Sequence, residues 1–279
     1  MTDPQPLATP RPRTDVWLES RYRKLRRGLP QTIFFCPRCK GHRLQRRGCE
    51  QCGGYGKLTR ESVQELIARR LLPAMQAKAG RFHGAGREDV DVLMLGRGRP
   101  FVFEVIGARC PGVDLEALRL EIVARAEGAI ELAPFRKVPR QRIAFWKETH
   151  FEKVYRAEVA VAQPPAAERL AAAAKFEGGI LQRTPQRVAY RRADLDRSRR
   201  LRVLGLAPLR EGVVEVRILC EHGTYVKEWI SGDEGRTRPS LQELLGVGCQ
   251  CSLLDVEEIM TDDVVGPRLA AVAPSPTEP

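Results

Sequence analysis

Two groups of residues have the types and spacing to do chemistry. The first is a pair of cysteine knuckles, "CPRC" and "CEQC", which place Cys36, Cys39, Cys49 and Cys52 within 17 residues. Two CxxC knuckles this close supply four thiolates that can close a tetrahedral metal site. Structural zinc is the expectation, because four protein ligands leave no open position for catalysis. Gly41, Gly53, Gly54 and Gly56 follow the knuckles, where tight turns need glycine. The second group is acidic. "GREDVDVLMLG" packs Arg87, Glu88, Asp89 and Asp91 against the start of an apolar run, and Glu104 follows in "FVFEV". A carboxylate at a loop mouth can act as a catalyst. Carboxylates inside a strand more often belong to buried ion pairs, the reading given to Asp91 and Glu104, each with an arginine partner.

Charge narrows the class of partner. The 279-residue chain carries a net charge of +12. Residues 1–60 hold 14 Lys and Arg against 4 acids, and residues 181–202 hold 8 against 2. Residues 240–279 reverse the sign, with 1 against 7. Basic segments in a chain that is 43% hydrophobic point to a polyanion, nucleic acid first. Arg38, Lys40, Arg43, Arg46 and Arg47 decorate the cysteine module and suit a nucleic-acid backbone. No apolar run approaches the ~18 residues of a membrane span. The N-terminus has no apolar signal region, so a cytoplasmic protein with reduced thiols is expected. The remaining cysteines, Cys110, Cys220, Cys249 and Cys251, read as core thiols.

The elements that must position these residues follow from periodicity. A Pro-rich tail (1–14) precedes a short basic helix closed by Gly28. With the cysteine module the helix makes a first region, 15–58. A helix opens at Ser62, whose side chain can cap the backbone at Glu65, and Pro73 kinks it. Alternation from Val90 to Leu95 predicts a strand, "GRGRP" a turn, and "FVFEV" the returning strand. Helices are expected at 114–126, 164–176, 224–231 and 239–246. Strands are expected at 129–133, 142–146, 153–162, 186–192, 200–206, 213–220 and 251–260. The lack of a regular βαβ alternation favours α+β with a mixed, mostly antiparallel sheet. The catalytic domain is placed at 59–262 and a flexible tail at 263–279.

Four ordered stretches resemble the archaeal and eukaryotic tRNA pseudouridine synthases that act on uridines 54 and 55. They are "GREDVDVLMLGRGRPFVFEV", "ILQRTPQRVAYRRADLDRSR", "GTYVKEWISGDEGRTRPSLQELLG" and the knuckle segment "LPQTIFFCPRC…CEQCGGYGKL". The resemblance implies the pseudouridine synthase fold, with a cleft across one side of the sheet. It implies an isomerase that needs no cofactor for its chemistry and acts on RNA, with tRNA first. It places Asp89 at the catalytic aspartate position, Tyr155 at the active-site tyrosine, Lys227 at its basic partner and Leu254 at the apolar wall of the uracil pocket. Arg87, Arg183, Arg187 and Arg236 become substrate-binding candidates, and Asp233 with Arg236 a loop-fixing pair. An anion opposite Lys227, such as Asp89 or a phosphate, is expected. His83 reads as a loop or RNA-contacting residue. No obligate protein partner is evident.

Two departures stand out. The family has a basic residue where this chain has Leu93. It also carries a long N-terminal RNA-binding domain, whereas this chain starts almost at the catalytic part and reads as a short form. Two other functions are weighed: a non-catalytic zinc-containing RNA-binding protein, and a metal-dependent nuclease. The nuclease would need a lysine two residues after Glu104, where Ile106 stands.

Overall fold

In the computed structural model, residues 12–190, 193–263 and 266–269 are described. The tails assigned to 1–14 and 263–279 lie largely outside them. The chain divides into two compact units: residues up to Val90 with Arg99–Glu148, and Asp91–Gly98 with the residues from Thr149 onward.

The first unit begins with a strand where a helix was expected. β1 (Thr14–Lys24) buries every second residue from Val16 to Lys24. That is the period of a strand with one inward face. The basic residues that suggested a helix are mostly on the other face. Lys24 is the exception, and it is fully buried. α1 (Val63–Ala74) starts as expected, with Ser62 Oγ accepting from the Glu65 N–H. Its buried Val63, Leu66, Ile67 and Leu71 form one stripe. Pro73 falls in its last turn, so the helix ends there rather than bending.

β2 (Ala79–Gly84) pairs antiparallel with β3 (Leu93–Ala108). β3 is one long strand, so "GRGRP" is not a turn and "FVFEV" does not return. Gly96 and Gly98 take φ of 53° and 81° within it, an irregularity that the strand absorbs. Only glycine fits at 96. A Cβ there would lie 2.2 Å from the Glu257 carbonyl oxygen.

α2 (Leu115–Arg125) is capped by Asp114. β4 (Ile130–Leu132) and β5 (Arg136–Val138) both pair antiparallel with β1. Residues 142–146, expected as a strand, belong to α3 (Arg142–Glu148). Glu19, 3% exposed, fixes that helix by accepting from Arg136, Arg142 and the Trp146 indole at 2.6–2.8 Å. Tyr22, Phe82, Phe101, Phe103 and Phe135 form an aromatic core, in which Phe82 stacks on Phe101 at 4.8 Å.

The second unit contains β6 (Lys153–Val161), α4 (Ala167–Ala173), β7 (Glu177–Arg183), α5 (Gln186–Ala189), β8 (Asp196–Arg210) and β9 (Val213–Cys220). α6 (Val226–Ser231), β10 (Thr237–Arg238), α7 (Leu241–Leu245) and β11 (Cys249–Ile259) complete it. Residues 186–189, expected in a strand, are helical, and the strand lies earlier, as β7. The sheet order is β10-β7-β8-β9-β6-β11, with antiparallel neighbours throughout. β11 then takes Leu93 and Met94 of β3 in parallel. The expected α+β class with mostly antiparallel strands is therefore what forms. None of the helices is long and apolar enough to cross a membrane, among the described residues.

Candidate functional site

The loop before β3 is held by a buried ion network. Glu88 accepts from the Tyr22 hydroxyl at 2.8 and 2.9 Å and from Arg99 Nε at 2.7 Å. Lys24 Nζ lies 3.8 Å from the same carboxylate. The side chains of Glu88, Lys24 and Arg99 are at most 1% exposed. Lys24 also donates to the carbonyls of Leu29, Asp89 and Val90, and Arg99 to that of Ala85. Burial, then the Glu88 charge, pushes the Tyr22 hydroxyl pKa well above its usual value. With Glu88 turned inward, its neighbours Arg87 and Asp89 are both exposed. The buried acid of the cluster is thus Glu88, a role sequence reasoning missed. Glu104 sits in β3 beside His83 Nε2 at 2.9 Å and Arg81 at 3.7 Å, so its arginine pairing is present. His83 itself lies in β2 rather than in a loop.

In the second unit, Asp91 accepts from Lys227 Nζ at 2.9 Å. The expected partner for Asp91 was an arginine; the one found is this lysine. The pair is open to solvent, with side chains 68% and 29% exposed. Lys227 lies in the first turn of α6, where the helix dipole opposes a cation by ~0.3–1 kcal/mol. The Asp91 carboxylate offsets that. Tyr155 of β6 is half-buried and stands in register with Val256 of β11. Leu254, two residues earlier, opposes Ala157. Directly paired residues and those two apart share a sheet face. Tyr155 and Leu254 therefore line one face, and Leu254 is buried in it. The neighbouring Cys251 thiol is pushed up to about 11, first by burial, with Lys227 opposing and Asp91 adding. Cys220 and Cys249 are raised by burial to about 12 and about 11, which fits unreactive core thiols.

Leu93 is paired in register with Asp255, which is 1% exposed. A basic side chain at 93 would share a face with Asp255. Here Asp255 is served instead by the Leu93 N–H at 3.3 Å and Arg156 at 3.5 Å.

The arginines singled out around β7 are tied down. Arg183 and Arg236 both bind Asp194, at 2.6 and 2.5 Å, and Arg187 binds Glu228 at 2.5 Å. Arg183 holds the Asp194 carboxyl below its usual pKa. Arg236 also donates to the Thr184 carbonyl and lies 3.9 Å from Asp233, the loop-fixing pair expected. They brace a loop in which Gly232, Asp233, Glu234 and Gly235 all have positive φ, a conformation that costs ~1–3 kcal/mol at each non-glycine position.

The cysteine knuckles converge. All four sulfurs lie within 4.8 Å of one another. Cys36 and Cys49 are 3.8 Å apart, Cys39 and Cys52 3.7 Å. A tetrahedral metal with bonds of about 2.3 Å sets its ligands about 3.8 Å apart, so the donor set fits a metal. The Cys39 N–H lowers the Cys36 thiol to about 7, whereas burial raises the Cys39 thiol to about 11. The Gly56 N–H donates to Cys52 Sγ at 3.1 Å. Phe35 packs on Gly41, where a Cβ would lie 2.6 Å from the ring.

Fold and site together define an α+β protein with an acid-rich loop on a buried frame, an exposed lysine–carboxylate pair, and a four-cysteine module. Residues 17–260 match the family described as "Pus10, C-terminal", and the chain belongs to that family. It is 43% identical over 245 residues to the tRNA pseudouridine synthase Pus10 of Methanothrix thermoacetophila, covering 88% of this chain and 53% of that protein. The protein of the same name from Halorubrum lacusprofundi is 45% identical over 253 residues, covering 89% and 59%. That from Korarchaeum cryptofilum is 41% identical over 250 residues, covering 88% and 66%. The chain spans between about half and two thirds of the length of these relatives. Among solved structures, a chain of a Cbf5-Nop10-Gar1 complex aligns over 71% of this chain and 45% of its own, at 19% identity and a TM-score of 0.40.

Proposed function

We propose that this chain is an RNA pseudouridine synthase with the pseudouridine synthase fold, an isomerase acting on tRNA at the uridine 54/55 positions. The observation that carries the reading is the placement of Asp89. It is an exposed carboxylate next to Arg87, on a loop whose backbone is clamped by Lys24 and whose intervening residue, Glu88, is locked in the interior. A nucleophile must be both accessible and held in place.

In this reading the target uridine flips out of the RNA. Its N-glycosidic bond breaks, and the sugar carbon becomes electron-poor. The Asp89 carboxylate captures or stabilises that carbon, by the same logic as glycosidases. The uracil turns and is rejoined to the sugar through carbon. Tyr155 stacks on the base and its hydroxyl assists proton movement, while Leu254 walls the uracil. Lys227, oriented by Asp91, supplies the basic partner. Arg87 fills the vacated space in the RNA or holds a phosphate. The reaction requires no cofactor.

Zinc in the four-cysteine module is structural in this account, and such a site contributes on the order of 10 kcal/mol to local folding. Native mass spectrometry is expected to find about one zinc per chain. Chelation is expected to unfold the module, and a module that stays folded without metal contradicts the role. The function is tested by mapping pseudouridine in total tRNA and rRNA with and without the gene. Loss of pseudouridine at the 54/55 positions of tRNA is expected, and an unchanged map refutes the assignment.

A further inference from the structure

The cysteine module carries an exposed surface that the reaction does not use. Phe34, Phe35, Leu44, Tyr55 and Leu58 are all more than 40% exposed, and Tyr55 is 65% exposed. Between residues 31 and 60 seven Lys and Arg stand against one acid, Glu50. Arg38 pairs with that acid. Lys40, Arg43, Arg46, Arg47 and Arg60 have no ion pair among the described residues. Aromatic rings interleaved with uncompensated cations are the composition of surfaces that bind single-stranded nucleic acid, where bases stack and phosphates are neutralised.

One part of this surface is concave. Tyr55, Lys57, Thr59 and Arg60 line both a small cavity, with Gln51, Cys52 and Leu58, and an adjoining cleft of 1010 Å³ that reaches Arg26 and Arg69. Arg26 and Arg69 are both bonded to Glu61, and Lys57 to Glu65, so much of their charge is spent within the protein. Arg60 is the uncompensated cation of the cleft. The Thr59 hydroxyl oxygen is buried yet has no hydrogen-bond partner.

We propose that Tyr55, Thr59 and Arg60 form a subsite for one unpaired nucleotide of the RNA, other than the uridine that reacts. The base stacks on Tyr55 and Arg60 takes its phosphate, with Thr59 in the cleft lining beside them. Because every base has a π face, the subsite selects an unpaired nucleotide rather than a sequence. This proposal rests on the RNA reading above.

The test uses the full chain with its metal and a single-stranded RNA dodecamer carrying 2-aminopurine, compared with a blunt RNA duplex. Tyr55→Ala is expected to weaken binding of the single strand about 5- to 150-fold and leave duplex binding unchanged, while Tyr55→Trp retains both. Arg60→Gln, at an exposed position, is expected to lower the slope of log affinity against log salt by about 1, and it carries the test if Tyr55→Ala loses its metal. Wild-type affinity for the single strand in both Tyr55→Ala and Arg60→Gln overturns the subsite and leaves the RNA reading standing. A wild-type chain that binds neither RNA at low salt overturns both.

Discussion

Two carboxylates three residues apart, Glu88 and Asp91, meet cations in opposite ways. Glu88 sits in the first unit with Lys24 and Arg99, all at most 1% exposed, and the Tyr22 hydroxyl completes its shell. Asp91 sits in the second unit and holds Lys227 in the open, with 68% of its side chain exposed. Removing one member of a dry pair strands an uncompensated charge, whereas water readily replaces a member of an exposed pair. The first arrangement suits a frame. The second suits groups that must meet a substrate.

The contrast can be broken by measuring unfolding in urea. Glu88→Gln is expected to cost about 3–5 kcal/mol, because it removes the carboxylate charge that Lys24 and Arg99 meet in the dry interior. Tyr22→Phe removes only the hydroxyl bonds to the carboxylate and is expected to cost about 1.5–3 kcal/mol. Asp91→Asn is expected to cost no more than ~1 kcal/mol, and so is Lys227→Met. Equal losses for Glu88→Gln and Asp91→Asn would erase the distinction.

Glu19 gives a pH test of the same idea. Burial raises its pKa, but Arg142, Trp146 and Arg136 outweigh burial and leave it below the usual 4.5. A lowered carboxylate stabilises the fold above its unfolded pKa and loses that contribution as pH falls through the folded one. Acid unfolding of Glu19→Gln is therefore expected to be flatter than wild type below about pH 4.5. An identical acid limb in the two proteins would count against that contribution.

The difference between the two carboxylates also marks what the sequence could reveal. α1 was legible because its start is local chemistry, a serine cap three residues from a glutamate. β11 and the four-cysteine cluster were legible for the same reason, in alternation and spacing. β1 was misread because its inward face includes Ser20 and Lys24, polar residues that look like surface until their partners are known. The partner of Lys24 is Glu88, 64 positions away, and no periodicity reports on that. "GRGRP" was misread because two left-handed glycines mark a turn in most contexts, and here one strand runs through them. Asp89 of the acid-rich loop, Tyr155, Lys227 and Leu254 could be nominated from motif order. Which acid turns inward could not, because the choice is made by Lys24, Tyr22 and Arg99. Likewise the sequence could not name Asp194 and Glu228 as the acids against Arg183, Arg187 and Arg236.

The central claim is that the exposed acid, and not its buried neighbour, does the chemistry. Single-turnover conversion of unmodified tRNA by Asp89→Asn tests it most directly, with tRNA binding and urea stability measured on the same sample. The account predicts no detectable pseudouridine, with wild-type affinity and stability. Turnover at or near the wild-type rate in that variant would contradict it.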